Sequence, residues 1–181
     1  MSSQYYSLMP IGREEDWYLK VPADVTGTEI DVWLFTDGTR YMGDKIYIDV
    51  KYEGNHSAIT FSAYGFPVLS AEIANELAKI CGDEIQLVES TVKGHGNYYI
   101  LNVLNIVDCL DHSCVRQYYP KDFEENRLRG KPRAVGMMKI DTTKLNHNKI
   151  FRVKDWEIPI VVSDDVYKVF KKFGSGGMRA T

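Results

Sequence analysis

No run of about twenty apolar residues occurs in this chain, which argues against a membrane-spanning helix. The first ten residues, Met1-Ser-Ser-Gln-Tyr-Tyr-Ser-Leu-Met-Pro10, carry neither a basic start nor an apolar stretch, so no secretory signal is expected. Cysteine is scarce. Three residues, Cys81, Cys109 and Cys114, make an odd and sparse set that favours a reducing cytoplasm over a disulfide framework. Several catalytic motifs are also missing. Gly94-His-Gly96 and Gly174-Ser-Gly-Gly177 lack both the Lys-Ser/Thr of a P-loop and the strand–GxGxxG–helix setting of a dinucleotide site. Neither a G-x-S-x-G elbow nor an H-E-x-x-H pair is present.

What is present fits a folded protein. At 181 residues with 44% hydrophobic residues, the chain suits one domain with a substantial core. Residues 1–65 read as a β-rich part with an extended aromatic arm, packed on the same core as residues 66–181. The net charge of −3 hides an asymmetry. Residues 1–90 hold 6 Lys and Arg against 15 Asp and Glu, whereas residues 91–181 hold 16 against 10. If the sequence halves are spatial halves, an acidic face could meet a basic partner. An unevenly charged solvated surface is the plainer alternative.

Two stretches share one grammar. Pro67-Val-Leu-Ser70 leads into an apolar stripe at Ile73, Leu77 and Ile80, closed by Gly82. Pro159-Ile-Val-Val-Ser163 leads into Val166, Phe170 and Phe173, closed by Gly174. The offsets from each serine are the same, and both stripes have helical spacing. Each serine is an N-cap whose hydroxyl is placed to accept from a first-turn amide. Strands are expected at residues 29–35, 45–50, 57–64, 84–89, 134–140, 150–153 and 156–162, where β-formers cluster between turn signals. The longest apolar run, residues 98–110, reads as one central strand, with Asn102 and Asn105 marking a bulge or face change. Residues 111–133 are the longest irregular stretch, and the last residues read as frayed. The fold class is therefore α+β, a mainly antiparallel twisted β-sheet braced by two Ser-capped helices.

Chemistry-bearing residues gather in three places. Cys109, His112 and Cys114 pair two thiols with an imidazole, but Cys-x2-His-x-Cys lacks a second half and a fourth ligand. The expectation is no metal and no cofactor. Asp108, Asp111 and His112 form an acid–base set for a small enzyme or ligand-binding module, without an evident nucleophile or oxyanion hole. Arg127, Arg129, Lys131 and Arg133 make a basic run that reads as a solvated loop, so neither nucleic acid nor membrane is expected as a partner.

The ordered segments Pro67-Val-Leu-Ser70, Tyr98-Tyr-Ile-Leu-Asn-Val103, Val107-Asp-Cys-Leu-Asp-His-Ser113, Ile150-Phe-Arg-Val153 and Ile160-Val-Val-Ser-Asp-Asp-Val166 together resemble the immunity-protein-eleven type of bacterial polymorphic toxin systems. The resemblance covers roughly residues 66–173. It departs at the end, where the family's Gly-hydrophobic-x-Phe element has no Phe in Gly176-Gly-Met-Arg-Ala-Thr181. It implies a non-enzymatic cytoplasmic protein that binds a cognate toxin domain and occludes its active site, as a monomer or weak homo-oligomer. An acidic N-terminal half suits a basic catalytic cleft, which selects Glu14, Glu15, Asp16, Trp17, Asp31, Trp33 and Asp37 as contact residues, with the loop 116–133 as a second option.

Overall fold

The computed structural model describes residues 4–8, 15–63, 65–174 and 178–180. Two five-stranded sheets organise it. The first holds β3 (Ile46–Ile48), β5 (Ile59–Phe61), β6 (Pro67–Leu69), β7 (Ile85–Val92) and β8 (Gly96–Val103) in the order β3-β7-β8-β6-β5. The second holds β1 (Tyr5–Leu8), β9 (Ile106–Val107), β12 (Ile150–Val153), β13 (Trp156–Ser163) and β14 (Met178–Ala180) in the order β14-β1-β13-β12-β9. Most pairings are antiparallel; β3 with β7 and β12 with β9 run parallel. Two short ribbons, β2 (Tyr18–Leu19) with β4 (Val50–Tyr52) and β10 (Val115–Tyr118) with β11 (Pro132–Val135), lie outside the main sheets. The mainly antiparallel α+β architecture read from the sequence is what the chain adopts, built from two sheets instead of one.

The two helices fall where their apolar stripes place them. α1 (Ala71–Cys81) buries Ile73, Ala74, Leu77 and Cys81, and α2 (Asp164–Lys172) buries Val166, Val169 and Phe170. Each is launched from a strand, α1 from β6 and α2 from β13, but the strands belong to different sheets. The repeated unit therefore braces two sheets, and the helices share one core with the inner faces of both. That core includes Leu69, Leu101 and Val103 of the first sheet with Ile150, Ile160 and Val162 of the second. Full burial of each such side chain contributes about 1.5–3 kcal/mol relative to exposure. Lys172 reaches Glu76 across the helix pair at 2.5 Å.

The serine caps differ from expectation. Ser70 and Ser163 do sit at the N-cap with extended backbone, yet neither hydroxyl bonds a first-turn amide. Both Oγ atoms are buried without a partner. Acidic side chains occupy the first turns instead: Glu72 in α1, and Asp164 and Asp165 in α2, where the helix dipole favours negative charge. Serine is therefore retained as a small residue at a packed entry to each helix.

Other elements also depart from the sequence reading: the strand expected at 134–140 ends at Val135 in β11, and residues 111–133, read as irregular, contain β10. Residues 29–35 are not a strand. Asp31 accepts the Trp33 amide at 3.0 Å and folds Val32–Phe35 into a 3-10 turn, a local bond that wins over β propensity. The apolar run 98–110 is not one strand: β8 ends at Val103, and the chain crosses to the other sheet as β9. Asn105 marks that crossing, and its carbonyl accepts from the Arg152 amide at 2.8 Å. Residues 178–180 are not frayed but pair with β1 at the sheet edge. The Gly174–177 segment otherwise falls largely outside the described residues.

Outer faces are covered by the irregular parts. Trp17, Leu19 and Phe35 close the outer face of the first sheet over Ile46, Ile48, Val68, Val88 and Ile100. Cys109, Leu110, Leu145 and Met138 cover Phe151, Val153 and Val161 of the second. Glu84 ties the sheets together, since one carboxylate oxygen accepts from both Lys149 and Ile150 amides at 2.8 and 2.9 Å.

Candidate partner-binding surface

Asp31 and Asp37 are the local architects of the N-terminal surface. Each is an exposed aspartate whose Oδ1 accepts backbone amides two residues on, a local turn that aspartate forms readily. Asp31 sets the 3-10 turn that lifts Trp33 and Leu34 out of the core while Phe35 points in. Trp33 is 48% and Leu34 40% exposed, against 0% for Phe35. Asp37 holds Thr39 through its amide at 2.9 Å and its hydroxyl at 2.7 Å. Gly38, with φ +77°, lets this turn lie against the sheet crossover. A Cβ there would meet the Leu104 carbonyl at 2.9 Å and the Ile106 side chain at 3.0 Å.

Behind the turn, a polar network fixes residues 39–41. Gln86 exchanges two hydrogen bonds with the Tyr41 backbone, 2.7 Å as acceptor and 2.9 Å as donor. Asn102, opposite Gln86 in the β7–β8 ladder, donates to the Thr39 carbonyl at 2.8 Å and to Gln86 Oε1 at 3.1 Å. Asn102 is fully buried and its Oδ1 has no partner.

The structure unites this turn with the basic loop. The Arg127 guanidinium lies over the Trp33 ring, 4.1 Å from its centroid. Arg127 also pairs with the Glu125 carboxylate. The other cations of the run are engaged as well. Arg129 Nε donates to the Phe123 carbonyl at 2.5 Å, Arg133 lies over Tyr119, and Lys131 meets Asp155 and Glu157 at 3.4 and 3.7 Å. The two regions selected separately from the sequence thus touch, where Arg127 lies over Trp33.

The expected contact set divides in two. Trp33 meets Arg127, Asp31 caps the turn that presents it, and Asp37 caps the next turn along the chain. Glu15 is exposed, and Asp16 is half-buried and bridges to Asn55. Trp17 is corrected outright. It is 3% exposed, donates Nε1 to Thr60 Oγ1, and packs against His56, His95 and Tyr98. It anchors the arm and cannot be a contact residue. Glu14 lies outside the described residues.

The other candidate chemistry is dispersed. Asp111 and His112 line an open depression of about 420 Å3 with Leu110, Ile140, Asp141 and Lys144. Asp108 points elsewhere, toward Lys154 at 3.4 Å. His112 Nδ1 meets the Tyr118 hydroxyl at 3.0 Å. Asp111 is held below the ordinary carboxylate range by Ser113, through the hydroxyl first and the amide second. Asp141 is lowered likewise by Thr143, so both carboxyls of the depression serve as turn caps. No hydrogen bond joins any two of Asp108, Asp111 and His112. Cys109 is fully buried, with its thiol pushed up to about 11 by desolvation. Cys114 donates its thiol to the Asp111 carbonyl at 2.9 Å. Cys109, His112 and Cys114 therefore do not bring their donor atoms together.

Two charged features escaped the sequence reading. Arg152 is 2% exposed on β12, and its guanidinium donates to the Glu157 and Ile158 carbonyls at 2.6 and 3.1 Å. Burial lowers its pKa to about 10, with the nearby Glu157 carboxylate acting in the opposite direction. A single basic letter in an apolar strand gives no sign of this. The second is a convergence of Glu53, His56 and His95. Only the Glu53–His56 spacing of three was visible in the sequence. No helix among the described residues is long and apolar enough to cross a membrane. No protein-family model matches this chain, and no curated protein matches it significantly.

Proposed function

We propose that this protein is an immunity protein, which binds the toxic domain of a cognate bacterial toxin in the cytoplasm and occludes its active site. The observation that carries this reading is the exposed Trp33 ring beneath the Arg127 guanidinium, beside Leu34 and the carboxylates of Asp31 and Asp37. Trp and Arg are the residue types that dominate binding energy at protein interfaces. Here they are held before any partner arrives, because Asp31, Asp37 and the Asn102–Gln86 network fix the turn. Prior ordering lowers the entropic cost of association. Around this centre, residues 15–103 carry 6 Lys and Arg against 14 Asp and Glu, a balance that attracts a basic cleft and speeds encounter with it.

The ordered motif resemblance supports the same reading. The working groups are Asp31, Trp33, Leu34, Asp37 and Arg127, and no covalent step is assigned to them. The test is co-expression with the toxic domain encoded beside this chain. Rescue of growth and co-purification of the two proteins are expected, and both are lost when Trp33→Ala and Arg127→Ala are combined. Failure of the native chain to rescue growth or to co-purify with that domain overturns the proposal.

A further inference from the structure

At the end of the first sheet where the β7–β8 hairpin turns, two segments bring nitrogen and oxygen donors together. Glu53, Gly54, Asn55 and His56 follow β4, and His95 sits at the tip of the β7–β8 hairpin. His95 Nε2 lies 3.2 Å from Glu53 Oε1, and His56 Nε2 lies 3.8 Å from Glu53 Oε2. All three donor atoms fall within 4.8 Å of one another, the sole such group of His, Cys, Asp and Glu among the described residues. A tetrahedral ion with donors at about 2.0–2.1 Å needs donor–donor edges of roughly 3.3–3.4 Å. The His95–Oε1 and His56–Oε2 distances, each to a different oxygen of the Glu53 carboxylate, are within a few tenths of an ångström of that value, so small side-chain shifts would bring the donors to it.

The positions are supported from several sides. Glycines 94 and 96, at φ +82° and +95°, turn the hairpin so that His95 faces inward, leaving its side chain 19% exposed. Lys93 ties the same tip to Asp49 at 2.8 Å. Gly54 allows the other segment to lie flat on the arm, since a Cβ there would come within 2.5 Å of the Glu15 carbonyl. Beneath both imidazoles lies the buried Trp17 ring, 4.4 Å from His56 and 5.2 Å from His95. The imidazole planes are nearly perpendicular, at 88°, with centroids 4.5 Å apart. Two rings edge to face can direct lone pairs at a common point without clashing.

We infer that Glu53, His56 and His95 bind a divalent cation of the zinc class. Two imidazoles and one carboxylate are the donor set such borderline ions prefer, whereas magnesium and calcium favour all-oxygen sites. Three protein ligands leave one position for water. The ion clips the loop after β4 to the hairpin tip over Trp17, and so fastens the cover of the first sheet. It is independent of the surface formed by Trp33 and Arg127.

The experiment is a Zn2+ titration of the metal-stripped full chain by calorimetry, with Co2+ absorption as a second probe. One equivalent is expected to bind, with a visible Co2+ band of low-coordinate form and a rise in melting temperature. Supporting groups around a metal carry about 10- to 100-fold of affinity, so removing a ligand in His95→Asn or Glu53→Gln should cost at least about 100-fold. His112→Asn, placed at the other depression, should leave binding unchanged. Circular dichroism of each variant without metal checks that the fold persists. If a folded His56→Asn/His95→Asn variant binds Zn2+ as the native chain does, or if the native chain takes up none, the assignment is wrong.

Discussion

Asn102 is the sharpest place to perturb the account, because its amide is buried and only half used. Its Nδ2 gives two hydrogen bonds, to Thr39 O and Gln86 Oε1, while its Oδ1 accepts none. Truncation in Asn102→Ala removes both donors and leaves the Thr39 carbonyl without its partner. Gln86 Oε1 keeps the Tyr41 amide. Thr39 lies in an exposed turn, so its carbonyl can regain water; each lost bond costs about 0.5–1.5 kcal/mol and the void left by the amide adds about 1 kcal/mol. The expected loss is therefore roughly 2–4 kcal/mol, or a melting point lower by about 5–12 °C for a chain of this size. Asn102→Asp preserves shape but replaces the donor with a desolvated carboxylate facing two acceptors. It should be the worse of the two at neutral pH, and part of its deficit should be recovered on acidification as the carboxyl protonates and becomes a donor. Urea unfolding at pH 7 and pH 5 measures both, and amide exchange should show faster opening at Thr39 and Tyr41. If Asn102→Asp is as stable as the native chain at pH 7, the donor role of Asn102 and the network that fixes the Trp33 turn are both refuted.

Two further predictions come from titration and burial. Asp49 and Asp165 are held below the ordinary carboxylate range, chiefly by hydrogen bonds from Lys93 and Lys149. A carboxyl depressed in the folded state contributes stability above its unfolded pKa of about 3.9, and loses it as pH falls through the folded value. The urea midpoint should therefore decline below about pH 4, and Asp49→Asn should flatten that decline slightly, because both pairs are solvent-exposed and screened. The cysteines should separate by accessibility. Burial pushes the Cys81 thiol up to about 12 and Cys109 up to about 11, whereas Cys114 is half-buried. A disulfide reagent at pH 8 should modify one thiol quickly in the native protein and all three after unfolding. Rapid modification of two or more native thiols would contradict the described core.

The parts of the fold legible in the sequence were those where periodicity and burial coincide. Ile73, Leu77, Val166 and Phe170 lie on the faces their spacing indicated, and the strands around residues 85–89, 150–153 and 156–162 followed their β-branched content. Misreadings arose where a local polar bond or a long-range partner decided. Residues 29–35 are rich in β-formers, but one Asp31 carboxylate turns them into a 3-10 bend. Residues 98–110 are mostly apolar because one half runs through the first sheet and the other pairs with the second, and apolar content alone does not say which. Asn105 was the visible clue.

The site was less legible than the fold. Asp31, Trp33 and Asp37 stood out as acids around an aromatic residue, yet the Trp33–Arg127 contact spans 94 positions and no spacing rule encodes it. Trp17 looked like an interface residue because tryptophan suits both surface and core; only Thr60, His56 and His95 decide for the core. The His95 contribution to the metal site is equally remote, reaching Glu53 from 42 positions away.

The proposed function rests most directly on binding between this chain and the toxic domain encoded beside it, measured by calorimetry for the native chain, Trp33→Ala and Arg127→Ala. The account predicts a tight one-to-one complex that each substitution weakens by about 2 kcal/mol or more, roughly thirtyfold, with the melting temperature of the free chain little changed. A native chain that does not bind, or a Trp33→Ala variant that binds with undiminished affinity, contradicts it.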